Sequence, residues 1–79
     1  MSRETITLDR LTEGSRGQVE DILLHGEMRR RLQELGLIKG TTVRCLHKGL
    51  TGSPIAYYIR GAAIALRGDD AKRIIVRLE

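Results

Sequence analysis

Glu27-Met28-Arg29-Arg30-Arg31-Leu32-Gln33-Glu34-Leu35-Gly36-Leu37-Ile38-Lys39-Gly40 is the stretch whose reading decides the fold. Met28, Leu32 and Leu35 recur at spacings of four and three, which sets them on one face of a helix. Glu27 suits the positive end of that helix. Gly36 stops it: glycine adopts the left-handed conformation after a C-cap, and Leu37 then falls where it can meet Leu32. Lys39-Gly40 is a second turn signal, after which the apolar period changes from helical to alternating. The segment is a helix, a stop and a relaunch into strand. Met28, Leu32, Leu35 and Leu37 are expected to plug an aliphatic core, and Gly36 and Gly40 to aim the next strand.

On either side of this helix the chain reads as strand and turn. Thr5 to Leu8 is β-branched and alternating, with Leu11 placed to close the core beneath a loop. Glu13-Gly14-Ser15-Arg16-Gly17 is a turn cluster. No Gly-Lys-Ser/Thr follows it and strand rather than helix comes next, so it is not a phosphate loop. Gln18 to Leu24 is a second strand in which Val19 and Ile22 break strict alternation, the mark of a bulge or of a change of facing within the strand. His25-Gly26 ends it, with Gly26 near the helix N-cap.

After the helix, Thr41 to Lys48 puts Val43 and Cys45 on one face and Arg44 on the other. Gly49 to Pro54 is a long hairpin connection. Ile55 to Arg60 alternates, Gly61 interrupts, and Ala62 to Arg67 alternates again, as a tight hairpin or one bent strand. Gly68 to Arg73 has room for a single capped turn, of the α or 3₁₀ type. Ile74 to Leu78 is a final strand. The pattern predicts a mainly β domain over residues 1–79: a small closed or half-closed antiparallel barrel of five or six strands, with one short helix after the second.

Composition narrows the chemistry. Seventy-nine residues allow one domain with a compact core. Phe and Trp are absent, so that core is aliphatic with at most Tyr57 or Tyr58. The single cysteine, Cys45, excludes an internal disulfide and a cysteine-built zinc site. No apolar run is long enough for a spanning helix, and the first residues lack a signal-peptide core, so a cytoplasmic location is expected. The net charge of +4 permits nucleic-acid binding without establishing it. At about 100° per residue, Arg29, Arg30 and Arg31 spread around the helix instead of forming one face, and Arg31 is expected to lay its stem on the core.

Catalysis finds little support. Cys45 and His47 lie two apart on a predicted strand and so share a face, the sharpest chemical pairing in the chain. As a metal site they supply two ligands where three or four are needed, and the plainer expectation is a core cysteine beside a half-exposed histidine. His25, in a loop, can pick up only stray divalent metal. No enzyme and no cofactor are expected.

The motifs in order resemble a known family. Arg31-Leu32-Gln33-Glu34-Leu35-Gly36-Leu37 followed by Lys39-Gly40-Thr41-Thr42-Val43 is similar to the RLxxLGLxxGxxV core of the FeoA family. Gly52-Ser53-Pro54-Ile55 resembles its GDP-I loop, with Ser53 in place of the usual Asp. Gly61, Ile64-Ala65-Leu66-Arg67, Ala71, Ile74 and Val76 resemble its ending, and Leu8, Leu11, Gly14, Gly17 and Val19 its opening. The resemblance implies an SH3-like barrel and a small cytosolic accessory protein of bacterial ferrous iron uptake. The implied partner is the membrane GTPase-permease FeoB, with no enzymatic activity and no agreed iron site. It also implies kinship with the C-terminal domain of DtxR-type repressors. Docking is expected in a groove between the Gly49–Ile55 loop and the helix, through Arg30, Leu37, Leu50, Pro54 and Tyr58. The chain is expected to be a monomer or weak homodimer. A nucleic-acid-binding barrel and a metal sensor built on Cys45, His47 or His25 are the alternatives.

Overall fold

A computed structural model describes residues 4–79. Six strands run as β1 (Thr5–Thr7), β2 (Arg16–Ile22), β3 (Thr42–Lys48), β4 (Ile55–Ile59), β5 (Ala62–Leu66) and β6 (Ile74–Leu78). Helix α1 (Gly26–Glu34) follows β2, and a one-turn helix α2 (Gly68–Ala71) precedes β6. A 3₁₀ turn, Leu8–Arg10, follows β1. The strands pair antiparallel in the order β1-β6-β2-β3-β4-β5. No ladder joins β1 to β5 among the described residues, so the barrel is the half-closed of the two expected forms.

Alternation puts the core inside this sheet. Ile55, Tyr57 and Ile59 of β4 are buried, as are Val43 and Cys45 of β3 and Ile74 and Val76 of β6. Leu8 and Leu11, bracketing the 3₁₀ turn, have no exposed area. Tyr57 is the one aromatic in the core, and its hydroxyl donates to the Leu8 carbonyl at 3.1 Å. A buried hydroxyl without that acceptor would cost about 1–3 kcal/mol.

The helix ends as its sequence predicts. Gly36 has φ of 101°, Leu37 N–H donates to the Leu32 carbonyl at 2.9 Å, and Gly36 N–H donates to Gln33 at 3.0 Å. This is the paired hydrogen-bond pattern of a Schellman ending. Leu32 and Leu37 are buried in the core, and Met28 packs partly against it. Leu35, however, is 44% exposed. Its expected place in the plug is corrected: Leu35 is the C-cap of α1 and lines an open groove against β5, while Leu32 alone of the stripe is fully buried.

The bounds of one strand and the arginine held to the core also differ from expectation. The second strand runs Arg16–Ile22 rather than 18–24: its ladder with β6 ends at the Ile22–Ile74 pair, past which only Leu23 N–H still donates, to the Arg73 carbonyl at 2.6 Å, before the chain turns toward the helix. The guanidinium of Arg29 donates to the Ile22 carbonyl at 2.6 Å and to Leu24 at 3.4 Å, tying α1 to that exit. So Arg29, not Arg31, is the arginine held to the body, while Arg31 is exposed. Of the two irregularities expected in the second strand, the bulge is present, between Val19 and Asp21. Gly61 closes a tight hairpin, with Arg60 and Gly61 both at positive φ, 47° and 88°, as a two-residue primed turn requires.

Candidate functional site

The expected Cys45–His47 pair is not assembled. Register in the β3–β4 ladder shifts between Cys45 and His47: Cys45 pairs with Tyr57, yet His47 pairs with Ala56. Leu46 is therefore an extra residue, and the bulge it makes breaks the two-residue period that put both side chains on one face. Cys45 has no exposed area, whereas the His47 ring is exposed and lies 3.4 Å from the Glu13 carboxylate. Burial pushes the Cys45 thiol up from its usual range, against the lowering pull of Lys48, so it is a poor nucleophile. His25 sits exposed at the N-cap of α1. Among the described residues no three or more His, Cys, Asp or Glu side chains gather closely enough to hold a metal ion.

Of the five docking residues, Leu37 is corrected. It has no exposed area and cannot touch a partner, because the Schellman ending turns it inward. Leu50 is fully exposed at the tip of the 49–54 loop, and Pro54 and Arg30 are exposed. Tyr58 is 46% exposed, on the opposite face of β4 from Tyr57.

The expected groove between that loop and the helix is also corrected. The loop faces α2 and the 3₁₀ turn, across a cleft of about 770 Å³ lined by Asp9, Lys48, Ser53, Arg67, Asp69 and Lys72. Gly68 N–H donates to the Ser53 hydroxyl at 3.1 Å, which ties loop to helix there. Helix α1 instead forms a groove of about 760 Å³ with β5, lined by Met28, Arg31, Leu35, Ile64 and Leu66. The C-terminal end of α1 lies beside the Arg60–Gly61 turn, since a Cβ on Gly36 would run into the Arg60 Cδ. That turn and the 49–54 loop are at opposite ends of β4, so the loop and α1 do not share a groove.

A third concavity, of about 480 Å³, was not anticipated. It is lined by Arg16, Gly40, Thr41, Thr42, Arg44, Tyr58, Arg60 and Gly61. Arg16 pairs across strands with Arg44, and Arg44 with Tyr58, so the three form one row on the outer face of β2, β3 and β4. Alternation alone places Arg44 outward. The Arg16 neighbour is set by register between strands far apart in sequence, which no local signal encodes.

A family model for the FeoA domain matches residues 6–78. The chain belongs to the FeoA family. A Campylobacter jejuni relative named as an Fe(2+) transport protein A is 30% identical over 73 residues, covering 92% of this chain and 99% of that one. The structure of Stenotrophomonas maltophilia FeoA complexed with zinc, described as a prokaryotic SH3-domain protein, is 37% identical and superposes with a TM-score of 0.78. It covers 90% of this chain and 88% of its own. A manganese-dependent transcriptional repressor shares the fold alone, at 21% identity and a TM-score of 0.85, over 100% of this chain and 44% of the repressor. The fold is thus the SH3-like one that the motifs implied. No helix among the described residues is long and apolar enough to cross a membrane.

Proposed function

We propose that this chain is a cytoplasmic, non-enzymatic accessory protein of ferrous iron transport that works by docking on a FeoB-type membrane GTPase-permease. The observation that carries this reading is the FeoA family match over residues 6–78. The burial of Cys45 on the far side of the β3 bulge from His47 supports docking over chemistry. Divalent metal at His25 or His47 would be adventitious, since each stands exposed without a gathered set of ligands.

The docking surface in this reading is the 49–54 loop, with Leu50 as its anchor. Loops on a rigid sheet carry recognition, and a fully exposed leucine at a loop tip gains from burial in a partner. Calorimetry between this chain and the cytosolic GTPase part of the permease, in each nucleotide state, tests it. Saturable binding is expected, weakened about tenfold or more by Leu50→Asp with an unchanged circular dichroism spectrum. No binding in any nucleotide state overturns the partnership. Full-strength binding by Leu50→Asp overturns the placement alone.

A further inference from the structure

We propose a second recognition surface, a site for an acidic peptide segment, in the concavity formed by Arg16, Arg44, Arg60 and Tyr58. It goes beyond the docking reading. It lies at the other end of the β3–β4 ribbon from Leu50, and its chemistry does not depend on which protein supplies the segment.

Charge is the first ground. Arg16 and Arg44 are directly opposed on an exposed sheet face, an arrangement that repels. Arg16 has the Glu79 carboxylate at 3.7 Å. Arg44 and Arg60 enter none of the ion pairs found among the described residues. Two unpaired guanidiniums around one hollow can each take a carboxylate in two-point geometry.

Backbone conformation is the second. Arg60 holds φ of 47° at the first central position of its turn, where Asn or Gly would sit without strain. The Arg60 stem packs against Gly36 at the end of α1, and the residue lines the hollow from that side. Gly40 and Gly61 line the same hollow and have no side chains to fill it.

The third ground selects the class of anion. Tyr58 is the only exposed aromatic, because Tyr57 is buried and the chain has no Phe or Trp. A single-stranded nucleic acid needs a succession of stacking rings and an unbroken cationic track. Here the track stops at Glu79, which also accepts from Thr42, and at Glu20, paired with Arg77. An acidic peptide needs neither. Its carboxylates reach the arginines singly, and one apolar or aromatic side chain can rest on Tyr58.

The test titrates the full ¹⁵N-labelled chain with a synthetic pentapeptide of four glutamates around one tyrosine, blocked at both ends. The expected result is saturable movement of the Arg44, Tyr58 and Arg60 amide resonances, weakening as salt rises to about 0.3 M. Arg44→Glu should weaken binding at least tenfold. Lys72→Glu makes the same change in net charge at the 49–54 cleft and should alter binding less than about twofold. Arg60→Asn eases the turn and gives up the stem contact at Gly36, opposed effects that should leave the melting temperature within about 3 °C while the peptide weakens. Equal losses from Arg44→Glu and Lys72→Glu would reduce the effect to net charge and overturn the site. So would failure to saturate, or tighter binding of oligothymidine than of the peptide to the same amides.

Discussion

Leu35 and Leu37 stand two residues apart, both leucine, both just at the end of α1, and they have opposite fates. Leu35 is 44% exposed and forms one wall of the groove against β5, while Leu37 has no exposed area. The difference comes from Gly36. Leu35 is the C-cap of α1 and stays half-exposed, and the left-handed glycine then reverses the chain so that Leu37 folds back over Leu32. An apolar residue in a helix-end motif is therefore not a core residue by virtue of its period. The stop decides which leucine goes in.

The largest effect should come from the inner leucine. Leu37→Ala is expected to cost about 2–5 kcal/mol, as for other fully buried leucines, measured by urea unfolding. A loss under about 1 kcal/mol would break the comparison, because Leu37 would then behave as a surface residue.

The interior that receives Leu37 also holds two groups whose ionisation is suppressed. Burial raises the Cys45 thiol above its reference value of 9.0 and the Tyr57 hydroxyl well above 10.0. Both are neutral when protonated, so above those reference values the unfolded chain loses protons that the folded chain keeps. The contribution of these two groups should thus be constant below about pH 9. It should then fall as pH rises, by up to about 1.4 kcal/mol per pH unit for each group. Tyr57→Phe should remove the tyrosine part of that slope, at the cost of the hydrogen bond to Leu8. A flat stability profile up to pH 11 would contradict the burial of both groups.

The smallest effect is expected outside. Leu35→Asp should cost about 1 kcal/mol, the loss of a half-exposed leucine and the placing of a carboxylate at the negative end of α1. Circular dichroism and a denaturation midpoint suffice to check it. An unfolded Leu35→Asp would restore Leu35 to the core and erase the contrast.

Much of the architecture was legible. Alternation in Ile55 to Arg60 put Tyr57 and Tyr58 on opposite faces, of which the fold buries that of Tyr57, and the broken alternation around Val19 lies at a real bulge. The bulge at Leu46 carried no such mark. Cys-Leu-His reads as ordinary strand, and only pairing with Tyr57 and Ala56 reveals the extra residue that separates thiol from imidazole. Among three consecutive arginines, nothing local singled out Arg29, whose partners are carbonyls released where β2 leaves its ladder. The cationic hollow was missed for the same reason. Arg16, Arg44 and Arg60 are scattered in sequence and meet only through strand register.

By itself the sequence determined the kinds of element and their order, because those follow from periods of two and of 3.6, from glycines at turns, and from an aliphatic composition without Phe or Trp. It also determined how α1 ends, since a Schellman motif is closed by residues within six positions of one another. Only the tertiary structure decided that Leu35 faces out, that Cys45 and His47 part, and that the 49–54 loop faces α2 instead of α1. Each of these depends on which strand lies beside which and in what register. Those contacts form between residues distant along the chain, where no local period reaches.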